Sequence, residues 1–172
     1  NALTSGDLDD LGFLWRGSLK FDQRAHRTMQ LFANFSNLDV KFNKSWPSAK
    51  NLFGTVLLHD REVSICSYNG LIDNISLDFI SAELFPESEK GYQLELITHS
   101  ESEAGDLLSL VSKTLMSDLS LDLSPDWNLE GPTSLDLSLE MDISEGFESL
   151  LVDAVTILKS ADFQLRPGNF KI

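Results

Sequence analysis

The chain has 172 residues, with 27 Asp and Glu against 13 Lys and Arg and a formal net charge of −14. One domain of that length buries roughly 70% of its unfolded surface, while the charge repels nucleic acid at long range and disfavours docking on an anionic membrane through polar faces. Cys66 is the only cysteine, which excludes an intrachain disulfide and a thiolate cluster for zinc, and fits cytosol and bacterial periplasm equally.

The N-terminal residues NALTSGDLDD lack the basic and apolar regions of a signal peptide, and no stretch approaches the roughly 20 apolar residues that span a bilayer. The first residue is Asn rather than Met, which points to a piece of a longer chain whose anchors and targeting signals are expected elsewhere.

The first strong pattern is a strand over residues 28 to 42. Leu31, Ala33 and Phe35 fall on odd positions and Leu38, Val40 and Phe42 on even ones. A strand that changes parity is expected to carry a β-bulge, here near Ser36-Asn37, because one extra residue swaps the faces. Trp46-Pro47 ends the segment. A second strand is expected over 52 to 59, turning tightly at Asp60-Arg61 into Val63, Ile65 and Tyr68. Asn69-Gly70 is a hairpin signal. Ile75, Leu77 and Phe79, alternating with Ser76 and Asp78, then continue the meander to Pro86.

The period changes next. Ser100 and Glu103 are spaced as a capping box, and Leu107, Leu108, Leu110, Val111 and Leu115 form a helical stripe, so a helix is expected over about 103 to 117, laid on a sheet face. Period-two alternation returns at Leu119, Leu121 and Leu123, and again at Leu135, Leu137, Leu139, Met141 and Ile143 against Asp136, Ser138, Glu140 and Asp142. Gly131-Pro132 punctuates the two runs, which could pair as antiparallel neighbours. Val155, Ile157, Phe163 and Leu165 read as further strands, although residues 148 to 159 would also tolerate a helix.

Catalytic patterns are not found. His26, His59 and His99 stand apart with no helical pairing or HExxH motif, Cys66 sits inside a strand and reads as a buried structural thiol, and most carboxylates alternate with Leu as a solvated strand face. No phosphate loop, GxSxG or dinucleotide fingerprint occurs. The expectation is no enzyme, no cofactor and no metal. The aromatics are more suggestive. Phe13, Trp15, Phe21, Phe32, Phe35, Phe42, Trp46 and Phe53 crowd the first half. They serve a closed core or line an open apolar face that takes an acyl chain.

The stretch from Trp46 to Val56 (WPSAKNLFGTV), preceded by Phe32-Ala33-Asn34-Phe35 and Leu38-Asp39-Val40, resembles a recurring pattern in AsmA-like envelope proteins of the YhdP type. Val63-Ser64-Ile65, then Asn69-Gly70-Leu71-Ile72 and Ile75, leading to Pro86, continue the likeness in order. Later elements keep the order, but the family has a glycine early in the strand near residue 152, where this chain has Val152-Asp153-Ala154. The resemblance covers residues 14 to 165 and is specific around 29 to 86. It implies a Gram-negative protein of the periplasm, anchored in the inner membrane, whose β modules join into a groove that moves phospholipids towards the outer membrane.

The resulting expectation is a mostly β (α+β) fold: a long, twisted, largely antiparallel sheet with one helix packed across it and an apolar groove. Residues 1–99 form a first meander, 100–117 the helix, and 118–172 further strands continuous with it as one module. Candidate lipid contacts are Leu31, Ala33, Phe35, Leu38, Val40, Phe42, Ile75, Leu77 and Phe79. Expected partners are phospholipid acyl chains and neighbouring β modules of the same full-length chain, with no nucleic acid, and a membrane reached only through parts outside this segment. A structural or protein-interaction β module is the alternative, and a hydrolase with a carboxylate pair a third.

Overall fold

A computed structural model describes residues 3–18, 27–41, 46–87, 91–114, 127–159 and 162–165. The strands are β1 (Leu3–Gly17), β2 (Arg27–Val40), β3 (Ala49–His59), β4 (Glu62–Ile72), β5 (Ile75–Pro86), β6 (Tyr92–Glu103), β7 (Trp127–Glu130), β8 (Pro132–Asp142), β9 (Leu151–Leu158) and β10 (Asp162–Leu165), with helix α1 (Ala104–Thr114) after β6. Eight of the strands form one open sheet in the order β1-β2-β3-β4-β5-β6-β8-β9, and β7 pairs with β10 in a small second sheet. Every pairing is antiparallel. The fold is therefore mostly β with a short helix, as the alternation implies.

The parity change in β2 is real. Phe35 pairs with Gly54 and Leu38 with Leu52, with a register shift between them, and Asn37 takes a left-handed φ of 51° to carry the extra residue. Leu31, Ala33, Phe35, Leu38 and Val40 are thereby kept on one face. Neighbouring strands do the same. Opposite partners share a face, and tracing them across the ladders gives a three-residue step in each of β1 to β5: Leu8 to Leu11, Phe35 to Leu38, Ala49 to Leu52, Ser67 to Gly70 and Leu77 to Ile80. The stepped strands thus present one continuous apolar face. The strand carboxylates lie on the reverse face, where Glu83, Glu95 and Glu140 stand directly opposite one another on β5, β6 and β8.

Two glycines mark where backbone or side chain comes too close for a Cβ. At Gly54 a Cβ would run into the Cys66 carbonyl of β4, and at Gly70 into the Leu52 side chain. Asn69-Gly70 is accordingly not a hairpin turn. Both residues lie inside β4, and the chain turns at Asp73-Asn74 instead, where Ile72 pairs with Ile75 and Asp73 has a φ of 52°. The Asp60-Arg61 turn occurs where the sequence places it. The Asp60 carboxylate accepts from Met29 N at 2.7 Å while Asp60 N donates to Met29 O at 2.8 Å, so this turn is sewn to β2.

The capping box does not form. Ser100 to Glu103 continue β6, Ser100 pairs with Leu77 and Leu135, and its buried hydroxyl has no hydrogen-bond partner among the described residues. The helix starts at Ala104, whose N–H donates to Gly131 O at 2.9 Å, and its far end is held by Lys113 Nζ, 2.9 Å from Asp73 Oδ2. Leu115 lies outside the described residues, as do Leu119, Leu121 and Leu123. Both edges of β8 are occupied, by β6 and β9. Residues 151–158 form a strand, preceded by a 3-10 turn at Gly146–Ser149.

Candidate functional site: the apolar trough

Two buried clusters close one end of the apolar face. Phe35, Val40, Ala49 and Leu52 pack together with Leu38, Ile65, Ile72 and Ile80 around them. Ile75 and Leu77 pack with Leu107 of α1 and Leu135 of β8, flanked by Leu110 and Leu137. The helix stripe thus serves as a cover at this end of the sheet.

Beyond the helix the face opens into a cavity of about 170 Å³. Its walls are Leu94, Leu96 and Thr98 of β6, Leu135, Leu137, Leu139 and Met141 of β8, and Val152 and Ala154 of β9. Ile72, Leu77 and Ile80 come from the meander, Leu107 and Leu110 from α1, and Trp46, Pro47, Ala49 and Leu150 complete the lining. The pairings explain the run of aliphatics: Leu94 faces Met141, Leu96 faces Leu139, Thr98 faces Leu137, and Leu137 and Leu139 face Ala154 and Val152. The one hydroxyl in the wall is occupied, since Thr98 Oγ1 donates to Phe79 O at 2.8 Å. Among the described residues, no nucleophile, acid or base lines this space.

The candidate contacts separate on this geometry. Leu77 lines the cavity. Ala33, Phe35, Val40 and Ile75 share its face but are buried in packing, with Leu31 and Leu38 half-buried beside them. Phe79 is a correction. The step between Leu77 and Ile80 turns it to the reverse face, where it pairs with His99 and is 39% exposed, so Ile80 takes the place expected of it. Phe42 lies outside the described residues. The larger miss is β6 and β8, whose Leu94, Leu96, Leu137 and Leu139 form the wall. Their alternation is plain in the sequence, but nothing in it says that this face stays open while that of β2 closes.

On the reverse face, His99 Nδ1 lies 2.7 Å from Asp136 Oδ1, and Lys159 Nζ donates to Glu101 Oε1 at 3.0 Å. That Lys159 hydrogen bond and charge hold the Glu101 carboxyl below the usual range, and hydrogen bonds from Ser144 do the same for Asp142. Cys66 is half-buried on β4 rather than fully enclosed. No group of three or more His, Cys, Asp and Glu suited to a metal occurs among the described residues, nor does a helix long and apolar enough to cross a membrane. No family model, curated protein or solved structure matches the chain.

Proposed function

We propose that the chain is a lipid-binding module that holds acyl chains along the apolar trough of β4 to β9 by passive contact. The observation that carries this reading is a cavity walled by aliphatic side chains, on a sheet whose strand carboxylates lie on the other face. From Tyr92 to Ser100 the strand covers about 26 Å at about 3.3 Å per residue, longer than the roughly 15 Å that one leaflet of acyl chain occupies in a bilayer. With the likeness to AsmA-like envelope proteins, it becomes a segment of a periplasmic bridge-like transfer protein, working without catalysis or cofactor and reaching the membrane through other parts of a longer chain.

A second reading, a structural or interaction module, is favoured by the margins. Edge strand β9 is exposed along its whole length, with Leu151, Val155 and Ile157 on its reverse face, and such an edge is a template for pairing with another strand.

The test is native mass spectrometry of the purified chain after incubation with liposomes, comparing wild type with Leu96→Asp and Leu139→Asp in the trough and Ile97→Asp on the reverse face, each checked for folding by circular dichroism. Phospholipid carried by wild type and Ile97→Asp, and lost from folded trough variants, supports lipid binding. No lipid on wild type sinks it and leaves the interaction module.

A further inference from the structure

The eight-stranded sheet has two edges, and they are built differently. β1 carries Asp7, Asp9 and Asp10, and its register against β2 shifts three times between Leu3 and Leu11. Charges and bulges of that kind keep an edge from adding a strand. β9 has no such guard. It runs against β8 for eight consecutive pairs without a shift, contains no Pro, and has Asp153 as its one charge between Leu151 and Leu158. Every residue of it is exposed. Leu151, Val155 and Ile157 stand on the reverse face and Val152 and Leu158 on the trough face, 37% to 66% exposed.

Two hydrogen bonds fix which backbone groups this edge offers. Lys159 N donates to Pro132 O at 2.9 Å and the Thr133 hydroxyl donates to Ile157 O at 3.0 Å, so the odd-numbered residues of β9 turn their peptide groups towards β8. The direction alternates along a strand, and the N–H and C=O of Val152, Ala154, Thr156 and Leu158 therefore point out of the sheet. Deepening the interaction reading, and independent of whether the trough carries lipid, we propose that the chain forms a two-fold dimer in which β9 pairs antiparallel with β9 of a second copy, the axis passing beside Val155. In that register Val152 bonds to the partner's Leu158 and Ala154 to the partner's Thr156, so every outward residue exchanges hydrogen bonds and none is left over. Val155 meets the partner's Val155 as a close, non-hydrogen-bonded pair on the reverse face, flanked by Ile157 against the partner's Asp153. Charge selects the strand that a copy offers. In a chain of net charge −14, β1 would bring Asp7, Asp9 and Asp10 to this edge, whereas a second β9 brings Asp153 alone. The two Asp153 side chains then stand about 13 Å apart along the ladder, beyond the screening length of roughly 8 Å at physiological salt. The axis is perpendicular to the sheet, so both troughs open on the same side and meet across Val152 and Ala154, which form their walls.

The experiment is sedimentation equilibrium of the wild-type chain beside Thr156→Pro, which removes one outward N–H and leaves the ladder to β8 intact, with circular dichroism as the folding check. Wild type is expected to be a dimer that tightens as salt screens the repulsion between two acidic copies. Thr156→Pro should weaken it about tenfold or more, because the symmetry removes two hydrogen bonds at once. Register is read separately by oxidation with diamide after the native thiol is removed. Val155→Cys/Cys66→Ser is expected to form an intermolecular disulfide, since a non-hydrogen-bonded antiparallel pair brings Cα atoms to about 4.5 Å, and Asp153→Cys/Cys66→Ser is expected not to. A wild type that stays monomeric at about 100 µM overturns the self-pairing and leaves the edge to a strand of different sequence, while the lipid measurement on the trough variants is untouched. A dimer that survives folded Thr156→Pro, or that cross-links equally from position 153, overturns the register. Species that keep growing with concentration would mark head-to-tail pairing of β9 with β1 and overturn the closed dimer.

Discussion

The stepped end of the apolar face and the β1 margin are built from the same kinds of residue and end in different states. At the stepped end Phe35 and Leu77 are 2% and 4% exposed, Phe35 enclosed by neighbours from β2 to β5 and Leu77 by neighbours from β4, β5 and β8 and by α1. On β1, Leu8, Leu11 and Phe13 share that face and pair with Phe35, Ala33 and Leu31, yet they are 61% exposed or more. A side chain on an outer strand has neighbours on one side only, so identical alternation produces core in one place and open surface in another. Hydrophobic pattern chooses the face, and position in the strand order chooses the burial.

Substitutions test that difference. Phe35→Ala empties a closed site and is expected to cost about 4 kcal/mol by urea unfolding, whereas Phe13→Ala should stay within about 0.5 kcal/mol; equal costs would mean that β1 is covered in solution. Gly54→Ala drives a Cβ into the Cys66 carbonyl and should cost about 3 kcal/mol. An unchanged midpoint would show that β3 and β4 separate freely there. Leu77→Ala and Phe79→Ala compare the two faces of one strand, and about 3 kcal/mol for the first against about 1 kcal/mol for the second is expected; the reverse order would put Phe79 back on the packed face.

The smallest effect is electrostatic. Glu101 has its carboxyl held below the ordinary range by Lys159, so the pair stabilises the fold above the ordinary glutamate range and its contribution disappears as pH falls through the lowered value. Lys159→Ala should therefore narrow the gap between the neutral and acid unfolding midpoints slightly, and a gap that widens would contradict the pairing.

Much of this is legible in the sequence. The bulge at Ser36-Asn37 follows from a parity count, because an antiparallel strand with one buried face tolerates no other way of keeping Phe35 and Leu38 together. The strand of Leu135 to Met141 and the stripe of α1 follow from periods of two and of 3.6 residues. What failed were local signals overruled by neighbours. Asn69-Gly70 has turn chemistry, yet Gly70 is needed because Leu52 occupies the space of a side chain. Ser100 and Glu103 have capping chemistry, yet the β6 ladder to β8 extends through them. Phe79 continues an alternation that breaks only because β5 takes its step beside Asp78. The open trough lies beyond local reading, since it depends on where one short helix stops covering eight strands.

The five three-residue steps have a consequence for sequence change. Each works as a phase slip in the in-and-out rhythm of its strand, so the number of residues there matters more than their identity. Replacing Asn37 leaves the rhythm intact, but deleting it would send Leu38 and Val40 to the acidic side and point Asp39 into the oil. This sheet should accept many substitutions along the line of steps and almost no single-residue insertion or deletion, the opposite of the length tolerance usual in surface loops.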